Sequence, residues 1–118
     1  MMIRIKNLRC RTVIGVYEWE REQEQSVVVN IELHFDGAAA ARSDRLEDTV
    51  NYKALKKRIM AEVEQGKFQL IEALADHILK IVMDDPKVTA AAVEVDKPHA
   101  LRFADSVSVT CSARREPA

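Results

Sequence analysis

A chain of 118 residues, 47% hydrophobic and 31% charged, is read as one domain (1–118) on a single core, and that balance excludes an intrinsically disordered polypeptide. The net charge is −1 with Lys and Arg scattered along the chain, so no basic block marks nucleic acid as a partner. The apolar runs are too short for a transmembrane span or a secretory h-region, so no membrane partner is expected and the cytoplasm is the default location.

Ile3 to Val13 reads as a strand in which Ile3 and Ile5 share one parity and Leu8 and Cys10 the other. The parity switch at Asn7 predicts a bulge. Gly15 breaks the run, and Val16 to Glu24 reads as a charged connection carrying the single tryptophan, Trp19. From Ser26 to Phe35 the alternation is strict, with Val27, Val29, Ile31, Leu33 and Phe35 on one face and Asn30, Glu32 and His34 on the other. Ala38 to Arg45 is alanine-rich and then polar, and Asp48, Thr49 and Asn51 offer helix caps. Tyr52, Leu55, Ile59 and Val63 then fall at helical steps, predicting an amphipathic helix that ends near Gly66, with Tyr52 on its inward stripe. A second helix places Phe68, Ile71, Leu74, Ile78 and Val82 inward until Asp84-Asp85-Pro86 stops it. Val88 to Lys97 and Ala104 to Ala113 complete the chain as strands, Pro98 closing the first of them.

The order strand, strand, helix, helix, strand, strand predicts a two-layer α+β domain, both helices covering one face of a four-stranded antiparallel sheet. Such a sheet leaves two long Val-rich edges that invite pairing. Closing them against other copies in a symmetric ring predicts a homo-oligomer.

Cys10 and Cys111 lack a partner at ligand spacing and read as reduced, structural thiols. His34, His77 and His99 form no metal pattern, and Gly66-Lys67 lacks the rest of a phosphate loop. Neither a metal nor a cofactor is expected. Four residues carry the remaining chemistry. Lys97, at a strand end, projects an amine from rigid backbone, as an acid/base group must; its bland alternative is a solvated lysine. Glu20 lies in an alternating charge run that ordinarily forms a solvated loop. Tyr52 opens the first helix and has the alternative of packing that helix on the sheet. Glu72 interrupts Leu70-Ile71-Glu72-Ala73-Leu74 one step off the apolar stripe. A carboxylate there can accept two parallel N–H bonds from a planar amidine edge, or simply face solvent.

Taken in register, Gly15-Val16-Tyr17-Glu18-Trp19-Glu20, Val50-Asn51-Tyr52, Phe68-Gln69-Leu70-Ile71-Glu72 and Asp96-Lys97-Pro98-His99-Ala100-Leu101-Arg102-Phe103-Ala104-Asp105-Ser106-Val107 resemble the dihydroneopterin aldolase and dihydroneopterin triphosphate 2′-epimerase family over essentially the whole chain. The resemblance implies the tunnelling fold (T-fold, ββααββ), assembled as tetrameric rings that stack into octamers, with sites between subunits. It implies that Lys97, Glu20 and Tyr52 are catalytic. It also implies that Glu72 anchors a reduced pterin, with Leu70, Ile71 and Asn51 beside the substrate and Tyr52 supplied by the neighbouring chain.

The implied reaction is a metal-free retro-aldol cleavage without a Schiff base, the folate-biosynthesis step that turns 7,8-dihydroneopterin into 6-hydroxymethyl-7,8-dihydropterin and glycolaldehyde. Cleavage followed by re-addition to the other face gives 2′-epimerisation from the same residues. Gly15 to Glu20 is similar to the aldolases, whereas Ile3 to Arg9 and His99 to Val107 are more similar to the triphosphate epimerases. Aldolase is the favoured activity on this reading and epimerase the alternative, with Arg9, Arg11 or Arg102 available to hold a triphosphate. A ring-forming pterin binder without turnover is the third possibility; it has no need of Glu20 and Lys97.

Overall fold

The computed structural model describes residues 1–116. Strands β1 (Met2–Ile14), β2 (Gln25–Phe35), β3 (Lys67–Phe68), β4 (Val88–Pro98) and β5 (Ser106–Arg114) form one sheet in the order β3-β1-β2-β4-β5. Helices α1 (Glu18–Glu22), α2 (Ala38–Ser43), α3 (Tyr52–Gln65) and α4 (Ile71–Met83) connect them, with a 3₁₀ turn at Leu46–Asp48 before α3. The long neighbours β1/β2, β2/β4 and β4/β5 are antiparallel, and β3 pairs parallel with Val13 and Ile14.

Each element follows from its pattern. The β2 residues Val27, Val29, Ile31 and Leu33 are buried under the helices together with Val93 and Val95 of β4. From above, α3 contributes Ile59 and Val63, and α4 contributes Leu74, Ile78 and Val82. Burying each such side chain stabilises the fold by about 1.5–3 kcal/mol relative to leaving it in water. The β1 bulge falls where the parity switches. Pairing with β2 slips between Ile5 and Leu8, Asn7 sits at φ 54, and its N–H donates to Asn30 Oδ1 at 2.8 Å. The extra residue keeps Leu8 and Cys10 on the helix side with Ile3 and Ile5. Thr12, buried on the same strand, donates through Oγ1 to the Val63 carbonyl at 2.7 Å and so fixes the end of α3 on β1. Cys10 and Cys111 are free thiols, and burial is the first cause that pushes both up from the ordinary thiol value.

Several boundaries differ from the sequence expectation. The sheet has a fifth strand, β3, formed by pairing with Val13 and Ile14; two residues are too few to show alternation in the sequence, and Phe68 stands on this strand rather than on the second helix. The alanine-rich stretch forms α2, ended by Asp44 in the left-handed region. The charged connection folds into α1. Tyr52 does not pack α3 onto the sheet. It is the first residue after the Asn51 cap, whose Oδ1 accepts the Ala54 N–H at 3.1 Å, and it is 54% exposed. Outer β5 and most of β1 keep unpaired edges within the chain. Among the described residues, no helix is long and apolar enough to cross a membrane.

Candidate functional site

The centre of the site is an ion pair between residues 77 positions apart. Lys97 comes from the last turn of the pleat in β4, opposite Val107 of β5. Glu20 comes from α1, where its own N–H and that of Arg21 donate to the Tyr17 carbonyl and close a short helical turn. That turn aims Glu20 inward although its neighbours Glu18 and Trp19 are exposed. Lys97 Nζ donates to Glu20 Oε2 at 2.7 Å, with the two side chains 13% and 6% exposed.

Three further groups fix the carboxylate. Gln25, at the start of β2, donates from Nε2 to Glu20 Oε2 at 3.1 Å and to the Ile14 carbonyl at 2.8 Å. The Tyr17 N–H donates to Glu20 Oε1 at 3.3 Å. Gly15 lies against the same group at φ +133, and a Cβ there would stand 2.2–2.3 Å from the carboxylate atoms. A side chain at Gly15 would displace the pinned carboxylate as well as strain the backbone.

Burial pushes the Glu20 carboxyl up, but hydrogen bonds from Lys97, Gln25 and the Tyr17 N–H outweigh it and hold the group below its ordinary range. A carboxyl depressed in the folded chain stabilises the fold above its unfolded pKa, and that contribution is lost as pH falls through the depressed value. Glu20→Gln should therefore destabilise the chain most at neutral pH, the difference from the parent shrinking in more acid solution. Urea melts of both proteins across that range measure it, and a difference that grew on acidification would contradict the assignment.

The pair opens on a hollow of about 230 Å³. Glu20 and Lys97 line it together with Leu70, Ile71 and Glu72 at the start of α4. Glu72 is exposed, and Leu70 is an exposed apolar side chain beside it. Asn51 and Tyr52 are not in this hollow; they line a separate one of about 560 Å³ with Leu46 and Lys53. One chain thus gathers Glu20, Lys97, Leu70, Ile71 and Glu72, and holds Asn51 and Tyr52 apart. Arg11 is engaged by Ser26 Oγ and the Glu24 carbonyl, Arg102 stacks over Phe103 at 5.7 Å, and neither they nor Arg9 line the hollow. Reading the sequence missed Gly15 and Gln25 as neighbours of Glu20. Glycine after a strand was the one available signal, and it read only as a break.

The helix-covered, mainly antiparallel sheet has the tunnelling fold, and it holds a buried Lys–Glu pair beside an open hollow. The family model for dihydroneopterin aldolase matches residues 3–112, and the chain belongs to that family of enzymes. A dihydroneopterin triphosphate 2′-epimerase of Pseudomonas aeruginosa is 44% identical, over 96% of this chain and 92% of its own length. A dihydroneopterin aldolase of Escherichia coli is 31% identical, over 89% and 86%. Among solved structures, E. coli dihydroneopterin aldolase in complex with neopterin superposes with a TM-score of 0.91 at 29% identity, covering 96% of this chain and 98% of that one. A Burkholderia dihydroneopterin aldolase bound to guanine gives 0.84 at 26% identity, covering 98% and 92%.

Proposed function

We propose that this protein breaks the C1′–C2′ bond of a 7,8-dihydroneopterin side chain by retro-aldol acid/base chemistry, with 2′-epimerisation of the triphosphate as its principal outcome. The observation that carries the reading is the 2.7 Å Lys97–Glu20 contact, buried, yet opening on a hollow that Glu72 also lines. In this reading Glu72 accepts the two N–H groups of the pterin amidine edge, and Leu70 and Ile71 form the wall beside the ring. The 2′-hydroxyl proton passes to the Glu20–Lys97 pair while N5 of the ring gains a proton. The C1′–C2′ electrons flow into the ring as an enamine, and a two-carbon aldehyde is released. Re-addition of the enamine to the opposite face of that aldehyde gives the 2′-epimer. Protonation at C1′ with loss of the N5 proton gives the hydroxymethyl product, and Tyr52 delivers that final proton.

Tyr52 and Asn51 reach the ring from a neighbouring copy, because within one chain they line a different hollow. A homo-oligomer in which the free edges of β1 and β5 meet supplies that neighbour. Identity of 44% to the epimerase against 31% to the aldolase favours epimerisation over the aldolase order read from the sequence. The aldolase outcome keeps support from Gly15 to Glu20.

Incubation with 7,8-dihydroneopterin and, separately, its triphosphate, with products resolved by chromatography, decides between them. The expected result is the 2′-epimer of the triphosphate in excess over any hydroxymethyl product. Hydroxymethyldihydropterin from the first substrate without epimer from the second reverses the order, and no product from either sinks the catalytic reading. Guanine, which presents the same amidine edge and cannot react, is the matching probe for ring binding.

A further inference from the structure

Two of the elements around the hollow are too short to hold their own position. Helix α1 has five residues, well below the length at which a helix is stable by itself, and β3 has two. The first carries Glu20; the second leads directly into Leu70, Ile71 and Glu72. Both are tied by one side chain, Arg21. Its Nη1 donates to the Phe68 carbonyl at 2.7 Å and to the Gly15 carbonyl at 3.1 Å, and its Nη2 reaches the Lys67 carbonyl at 3.3 Å. The Phe68 carbonyl also accepts the Gly15 N–H at 3.1 Å. A single half-buried guanidinium thus joins the end of β1, the helix of the acid/base pair and the strand before Leu70, Ile71 and Glu72.

We propose that Arg21 is a positioning residue that sets the spacing between the Glu20–Lys97 pair and the wall of Leu70, Ile71 and Glu72. Among the described residues, its guanidinium donates to main-chain oxygens of Gly15, Lys67 and Phe68, so its charge strengthens donors aimed at backbone. The planar fork serves three acceptors at once, two on β3 and one on the residue that follows β1. A lysine ammonium, compact and on a freely turning stem, does not reproduce that geometry. The functional consequence rests on the retro-aldol reading above, because spacing matters when the ring is held on one side and its side chain reacts on the other.

The test compares the parent with Arg21→Lys and Arg21→Ala in kcat and KM on the substrate the parent turns over, in affinity for guanine, and in amide hydrogen exchange at Gly15. Misalignment of about an ångström lowers a rate by about 10²-fold. Both variants should therefore lose about 10- to 100-fold in kcat while binding guanine like the parent, and the Gly15 amide should exchange faster. Guanidinium added at millimolar concentration should restore part of the turnover of Arg21→Ala. Should the alanine variant fail to fold, Arg21→Lys carries the comparison alone. Parent-like kcat and exchange in a folded variant overturn the proposal. So does loss of guanine affinity and melting temperature in step with kcat, which marks a merely structural role. If the parent itself turns over neither pterin, the functional reading fails; faster exchange at Gly15 with guanine affinity intact then still supports the clamp, and unchanged exchange overturns it.

Discussion

Lys97→Ala is expected to lower turnover of dihydroneopterin triphosphate by about 10²–10⁴-fold, the usual worth of a positioned proton-transfer group. The same substitution strands a buried carboxylate, because Glu20 loses the donor at 2.7 Å and keeps Gln25 and the Tyr17 N–H. Breaking a buried ion pair from one side costs about 3–5 kcal/mol, which a domain of ordinary stability, about 5–15 kcal/mol, survives. Loss of activity in the single variant therefore mixes chemistry with stability, and a double variant separates them. Glu20→Gln combined with Lys97→Met removes both charges and leaves no unpaired ion. Its melting temperature should recover most of what Lys97→Ala loses, since replacing both members of a buried pair is far cheaper than removing one. Turnover should stay at the level of the single variant. A double variant that regained turnover along with stability would show that the pair holds the fold and moves no protons.

How far this could be seen in advance depended on how local each signal was. The β2 strand was legible because burial on one face imposes a period of two on Val27 to Phe35, and the β1 bulge because a parity switch has few other physical causes. The strand of Lys97 was legible for the same reason, although it continues through Pro98, which still pairs with Ser106. β3 was not legible; its pairing with Val13 and Ile14 is a tertiary event written in two residues. The burial of Glu20 was hidden too. Its run of alternating charge looks solvated, and only a lysine 77 positions away, with Gln25 and the bare backbone of Gly15, makes its interior position tolerable. Tyr52 failed in the opposite direction. Helical spacing put it on the inward stripe, but a first-turn residue just after the cap lies beyond the cover of the sheet. In the proposed function these two regions are the halves of one site: the first is held by a long-range ion pair, the second carries an aromatic side chain left in solvent.

Two inactive variants should repair each other if those halves meet between copies. Tyr52→Ala removes a side chain from the hollow of Asn51 and Leu46, and Lys97→Ala removes one from the hollow of Glu20 and Glu72. In the ring of the proposed function each site draws one half from each of two neighbouring chains. When equal amounts of the two variants are unfolded together and refolded, about a quarter of the interfaces pair a chain with intact Tyr52 with a neighbour intact at Lys97, in the productive order. Turnover of the mixture should approach about a quarter of the parent's, while each variant refolded alone stays near zero and mere mixing of folded rings restores little. The size of the effect makes the measurement decisive, since the gain over either variant alone follows from geometry and requires no new contact. Neither substitution touches the other hollow, so a chain that works alone has no means of being rescued. A refolded mixture as inactive as its components would mean that Tyr52 and Lys97 do not serve one site. A stable monomer by light scattering, active on either pterin, would remove the neighbour altogether.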